Sequence, residues 1–314
     1  RSAARLHGKP FTVSEYNHPA PLDSQAECVP MLASFAAAQD WDGIWLYTYS
    51  HSSDGWYREN MNSYFDIDTN PAKWGFMRAG AAIFRDAGPS DTGIYQQNKS
   101  ICVSLTKSPD IVTELAKLHL KYDRNMFTLL ADKAKITWQD LLKKQVVSAI
   151  ANYGGQGGSP QGVPRTDEIW KIRWSVENGK GWYSAGFEDG WVHTGHTERF
   201  GKPIIGQFSV TKPEFAAVML TALDKRPLNK SQKILITACG RCENTGMKFS
   251  QDRRTVGRNW GGPPVKIEAV EGTLSLTGKW TCQALGSDGV PRHQVPFLYK
   301  NVRGVLKLEP KYQT

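Results

Sequence analysis

The sequence has no apolar run approaching the roughly 20 residues of a membrane-spanning helix, so none is expected in its 314 residues. It also has no block of like charge. The net charge is +9, but Lys and Arg are scattered along the whole chain, and no nucleic-acid footprint is expected from such a distribution. Cysteine is scarce, with five residues (Cys28, Cys102, Cys239, Cys242, Cys282) at irregular spacing. An odd number cannot all pair within one chain, which argues against a disulfide framework. There is no Gly-x-Ser-x-Gly nucleophile elbow. The run GGQGG at 154–158 lacks the Lys-Ser/Thr of a phosphate loop. The first residues, RSAARLHGK, show neither a start Met nor the charged-then-apolar layout of a signal peptide. A processed chain, or one cut from something longer, is the expectation.

What the sequence does contain is the 40% hydrophobic and 22% charged content of a soluble globular protein. Its length suffices for two ordinary domains. FTVSE at 11–15 reads as a short buried strand. A helix over 23–41 follows, opened by Asp23 as N-cap, and then a second apolar strand, DGIWLYTYS, at 42–50. The order β, α, β with short links predicts parallel neighbours. A further helix is expected over 70–88, with Asn70 as cap, Pro71 in the first turn and Gly88 at its end.

Beyond a boundary near 87–93 the pattern changes. SICVSLT (100–106) is strand-like, whereas 110–120 and 137–153 carry helical spacing. The glycine-rich, proline-bounded run at 154–164 reads as a linker. From Trp170 onward, short alternating segments recur between Gly, Asn and Pro turns, the signature of a β-sandwich or barrel. Within it KPEFAAVMLTALD (212–224) fits helix and strand periods partly, and a strand is expected over FAAVMLTAL. The expected organisation is α/β plus all-β, with residues 1–90, 91–165 and 166–314 as its three parts. Residues 170–314 are expected to fold alone, and 1–88 to self-associate or be locally disordered because of bare strand edges.

The chemistry gathers at SEYNH. Glu15 ends a strand and is followed directly by Tyr16, Asn17 and His18, side chains able to act as nucleophile, donors and proton partners. Side chains at the carboxyl ends of strands build the active site in a β/α-barrel, whereas elsewhere such a Glu only opens a loop. In the next strand, two-residue alternation puts Trp45, Tyr47, Tyr49 and His51 on one face. Aromatic faces at a strand mouth suit sugar rings. Tyr47 is expected in the core, with Tyr49, His51 and Trp56 turned toward a ligand.

GKPFTVSEYNHP at 8–19, followed by QDWDGIWLYTYSH at 39–51, resembles the seventh and eighth strands of the (β/α)8-barrel retaining glycoside hydrolases, the clan of cellulases, β-galactosidases and β-agarases. The resemblance covers roughly 8–88. It implies that 1–90 is the last quarter of such a barrel, with Glu15 as nucleophile and Trp45 or Tyr49 as the floor of a sugar subsite. Tyr16, Asn17, His18, His51 and Trp56 would be substrate-binding. It further implies a carbohydrate substrate, no cofactor, no membrane partner and a secreted or periplasmic setting. The remainder resembles the β-sandwich that follows the barrel in large hydrolases of polysaccharide-degrading bacteria.

One departure stands out. A retaining hydrolase needs a second carboxyl about 5–5.5 Å from the first, and in this clan it lies on strand four in an Asn-Glu pair. Nothing before Glu15 can be strand four, since a whole barrel takes ~250 residues. The missing part is either lost or supplied by another chain, which leaves a homo-oligomer open. The alternatives are a non-catalytic carbohydrate-binding or structural β-module, or another hydrolase such as an esterase. Three lesser motifs read as structural. CGRC (239–242) is a lone CxxC with buried or turn thiols, HTGH (193–196) lies in a β-turn, and Asp54, Asp66 and Asp68 are solvated loop acids.

Overall fold

The computed structural model describes residues 10–38, 41–53, 57–86, 102–104, 147–149, 172–177, 180–199, 206–300 and 302–313. These residues are mostly strand with few helices. No helix among them is long and apolar enough to cross a membrane.

The chain opens with β1 (Thr12–Tyr16), α1 (Cys28–Ala38) and β2 (Gly43–Leu46). The two strands pair in parallel, with Thr12 opposite Gly43, Val13 opposite Ile44 and Tyr16 opposite Leu46. That is the geometry which the β, α, β order predicts. Asp23 does not cap the helix. A 3₁₀ turn over Gln25–Glu27 precedes α1, and the Asp23 carboxylate instead accepts a fork of hydrogen bonds from Arg253, the shortest at 2.9 Å. A charge-assisted, two-pronged pair outweighs a backbone cap at an exposed helix start. The helix expected over 70–88 is split into α2 (Pro71–Trp74) and α3 (Met77–Asp86). Gly75 closes the first piece, its N–H reaching the Pro71 carbonyl at 2.9 Å.

The later strands form two antiparallel sheets. One holds β5 (Ile172–Glu177), β6 (Lys180–Gly186), β7 (Gly190–His196), β9 (Phe215–Ala222) and β10 (Ile234–Cys239), in the order β10-β9-β7-β6-β5. The other holds β8 (Gly206–Lys212), β13 (Glu271–Thr277), β16 (Phe297–Lys300) and β17 (Arg303–Leu308), in the order β16-β17-β13-β8. Two smaller pairs accompany them: β11 (Cys242–Thr245) with β12 (Gly262–Ile267), and β14 (Cys282–Leu285) with β15 (Pro291–Val295). A further antiparallel pair joins β3 (Cys102–Ser104) to β4 (Val147–Ala149). Residues 147–149 are therefore strand where helical spacing was expected, because β-branched and small residues there find a pairing partner. The rest of 110–120 and 137–153 and the run at 154–164 lie outside the described residues.

Where the core sits explains the ambiguity of 212–224. Ala216, Val218, Leu220 and Ala222 face a cluster shared with Phe208, Leu274, Leu276 and Leu306 of the four-stranded sheet. Ala217 and Met219 face the opposite way, into a cluster shared with Val29, Ala79 and Ile83 of the helices and with Phe76 in the turn between α2 and α3. β9 is thus covered on both faces, and a doubly covered strand reads as a continuous apolar run. FAAVMLTA is a strand, as expected. The molecule is layered as helices, five-stranded sheet, four-stranded sheet.

This layering crosses the expected boundary. α1 and α3 cover one face of the five-stranded sheet, so the first part and the last share a core. Buried polar contacts reinforce the junction. Ser34 meets the Tyr183 hydroxyl at 2.9 Å, the Gln25 amide donates to the Cys242 carbonyl at 2.8 Å, and the Met61 N–H donates to Asn244 Oδ1 at 2.9 Å. Independent folding of 170–314 is therefore no longer the expectation, since removing the helices would bare that face of the sheet.

Candidate functional site

At the carboxyl end of the β1–β2 ladder the backbone is fixed by one side chain. Asn17 Nδ2 donates to the Tyr47 carbonyl at 2.5 Å and to the Phe65 carbonyl at 2.7 Å, while the Tyr47 N–H donates to the Tyr16 carbonyl at 3.0 Å. Strand end, following strand and the loop before Asp66 are thereby held together. Glu15, the penultimate residue of β1, is exposed in this frame. β2 stops at Leu46, so the alternation expected through His51 is not carried by strand. Tyr47 is 39% exposed and does not belong to the core, because β1 and β2 pair only with each other among the described residues. Trp45 is 56% exposed and Tyr49 47%. Trp56 and Asp54 lie outside the described residues.

Each strand end leads into a chain of tyrosine, histidine and carboxylate. On the β2 side the Tyr47 hydroxyl meets His51 Nε2 at 2.9 Å, His51 Nδ1 contacts Asp66 Oδ1, and the His51 N–H donates to Asp66 Oδ2 at 3.3 Å. With the ring proton on Nδ1 facing Asp66, Nε2 accepts from Tyr47. Arg58 adds a contact to Asp66 at 3.5 Å. Burial alone would raise the Asp66 carboxyl, but hydrogen bonds from the His51 side chain and backbone and from Ser63 carry it below the ordinary value. Asp66 is therefore a buried anion that holds His51, where a solvated loop acid was expected. Asp68 bonds the Thr69 N–H at 2.8 Å.

On the β1 side the Tyr16 hydroxyl meets His18 Nε2 at 2.9 Å, and His18 Nδ1 stands 3.7 Å from Glu27 Oε1. This chain is the more buried of the two. Burial pulls His18 down to about 4, helped by the Lys73 charge. It pushes Glu27 up to about 7 against a hydrogen bond from Ser24. Burial likewise pushes Tyr16 up to about 12, with Cys28 and Glu27 adding to the rise. At neutral pH His18 is an uncharged imidazole, and Glu27 keeps its proton to higher pH than an ordinary carboxyl.

Beneath both chains lies Lys73, fully buried, its amine without a hydrogen-bond partner among the described residues. Burial pulls it down to about 8, opposed by Cys28, Cys242 and Asp66. Glu27 and Lys73 were not singled out from sequence. The signal available was a lone acid in QAECVPML and a lone cation in NPAKWGF, each flanked by apolar residues.

The structural motifs resolve as follows. Cys239 and Cys242 are buried thiols, both pushed up by burial. HTGH is not a turn but the end of β7, where continuous pairing with β9 runs through His196. His193 is buried, stacked at 5.9 Å on both Trp182 and Trp191, and burial pulls it down to about 3. No group of three or more His, Cys, Asp or Glu among the described residues is arranged to hold a metal.

Comparison of the chain with protein-family models, with curated proteins and with solved structures found no match.

Proposed function

We propose that this chain is the C-terminal part of a retaining glycoside hydrolase, with β1 and β2 as the last two strands of a (β/α)8 barrel, followed by a β-sandwich. One observation carries the reading. An exposed carboxylate, Glu15, stands next to the end of a strand held in parallel register with a neighbour whose end bears the half-exposed rings of Trp45, Tyr47 and Tyr49.

In this reading Glu15 attacks the anomeric carbon of a sugar seated on Trp45 or Tyr49. The bond to the leaving oxygen breaks as an acid protonates that oxygen, and water then hydrolyses the glycosyl ester. Asn17 fixes the strand ends around the nucleophile. His51 is anchored on Asp66 and meets the Tyr47 hydroxyl. Tyr16 and His18 support β1 from below. The acid/base carboxyl belongs to strand four of the barrel, so the reading assigns it to chain beyond these 314 residues. The substrate is a carbohydrate, the reaction needs no cofactor, and a secreted or periplasmic setting follows from a polymeric substrate.

The test is Glu15→Gln in the full-length gene product. Turnover should fall by several orders of magnitude with binding largely kept, and Glu15→Ala with added azide should partly recover cleavage. Unchanged turnover in Glu15→Gln would remove the carboxylate from the mechanism.

A further inference from the structure

We infer that the loop at 246–261 of the β-rich region extends the candidate sugar site and selects a polysaccharide bearing anionic groups, sulfate or carboxylate. The inference rests on the carbohydrate reading above and deepens it from a single ring on Tyr49 to an extended, charged chain.

The first observation is an aromatic track that leaves the strand mouth and crosses between regions. Tyr47 and Phe65 have ring centroids 6.1 Å apart, Phe65 and Tyr64 6.5 Å, and Tyr64 and Trp260 5.2 Å. Tyr47, Phe65 and Tyr64 are 39%, 38% and 48% exposed, and Trp260 is partly buried. Apolar faces with polar tips suit sugars, whose C–H surfaces pack on π systems while their hydroxyls meet the rim. The track is fixed from below, since the Asn244 amide donates to the carbonyls of both Met61 (2.6 Å) and Trp260 (2.8 Å). One buried side chain thus ties the loop before Tyr64 to the loop that carries Trp260.

The second observation is charge. The segment 246–261 carries Lys248, Arg253, Arg254 and Arg258 against one acid, Asp252. Arg253 is committed to Asp23 and Glu243. Lys248, Arg254 and Arg258 are exposed. The Lys248 N–H donates to the Asn259 carbonyl at 3.0 Å, which puts Lys248 across the turn from the residues flanking Trp260. An aromatic track that ends at Trp260, two residues from Arg258 and across the turn from Lys248, in a segment that also exposes Arg254, fits a polymer that has both sugar faces and regularly spaced negative groups. A neutral glycan would use only the rings.

Calorimetric titration of the chain with three sets of oligosaccharides of equal length tests this: carrageenan (sulfated), oligogalacturonate (carboxylated) and agarose (neutral). The expected result is that one anionic set binds at least about tenfold tighter than the neutral set, with an advantage that shrinks as salt rises through about 0.15 M and beyond. Lys248→Ala/Arg254→Ala/Arg258→Ala should erase that advantage and leave neutral binding unchanged. Tyr64→Ala should weaken every set that binds by roughly tenfold. Trp260→Ala should do the same, with an unchanged melting temperature as its control, because Trp260 also packs on the core. Equal binding of neutral and anionic sets, or an unaltered triple variant, overturns the charge selection alone. A Glu15→Gln enzyme that still loses turnover would then keep the hydrolase reading. Binding to none of the three, or preference for single-stranded DNA over all of them, overturns the extended anionic site, and the hydrolase reading then stands or falls with Glu15→Gln in the full-length product.

Discussion

Two strands of this molecule make opposite use of the same backbone. β9 carries Ala217 and Met219 toward the helices and Val218 and Leu220 toward the second sheet, and every residue from Ala216 to Ala222 is buried. β1 buries Val13 and leaves Thr12, Ser14 and Glu15 exposed. A strand sealed on both faces holds mostly apolar side chains, Thr221 being the one polar residue of this run, because each uncompensated polar group inside costs about 1–3 kcal/mol. A strand with open faces can keep a carboxylate at its end without that cost. The β-rich region is sealed by shared cores, and the β1–β2 pair is where polar side chains stay exposed. The helices α1 and α3 belong with the first in energetic terms although they are joined to the second in sequence.

The hardest way to break this division is to remove residues 10–86. The remaining β-rich piece should aggregate or melt without cooperativity, because Ala185, Val192, Ala217 and Met219 lose their cover. A sharp, reversible melt of the isolated piece would show that the shared core is dispensable. A subtler cut is Phe76→Ala. Phe76 is 1% exposed in the shared cluster, and the substitution should cost about 3–5 kcal/mol. Chemical denaturation should lower a single transition seen by probes in both regions, whereas two separated transitions would contradict the coupling.

Lys73 offers a test with a pH signature. Its folded-state value is pulled to about 8 from an ordinary 10.5, so below pH 8 the fold carries a charged amine that burial disfavours. That penalty is relieved as pH rises from 8 to 10.5, where the unfolded chain also loses its proton. Lys73→Met should therefore be more stable than the parent at pH 7, with the gap closing by about 3 kcal/mol on reaching pH 10.5. A gap that stays constant across that range would mean the amine is not destabilised by burial. The smallest effect is expected from Arg253→Ala, which removes the fork to Asp23 and the contact to Glu243. Both partners are partly exposed, so the loss should be about 1 kcal/mol and smaller in high salt.

Much of this division was legible in the residues. FTVSE and GIWL announced parallel strands, and the alternating segments after Trp170 announced antiparallel sheets, because period and turn chemistry are local properties. What was not legible depends on distant partners. Nothing near Asp23 tells that Arg253 will claim it from 230 positions away, and so its capping role was overestimated. Phe215–Ala222 looked ambiguous because both of its faces are buried by elements far along the chain. Tyr47 was expected inside because an apolar strand context suggests cover, yet the β1–β2 pair is open. Glu27, Lys73 and Asp66 take their character from burial, which composition does not report. Asn17 does tie the end of β1 to Tyr47 just beyond β2, and that neighbourhood followed from chain order alone.

The most direct test of the account is covalent trapping of Glu15. A panel of 2-deoxy-2-fluoroglycosyl fluorides suits the full-length gene product, because fluoride departs without help from a general acid and labelling then reports the attacking carboxylate itself. Peptide mass spectrometry after incubation should find one fluoroglycosyl group on Glu15, with labelling abolished in Glu15→Gln. Labelling of a different carboxylate, or labelling that persists in Glu15→Gln, would contradict the assignment of Glu15 as the nucleophile.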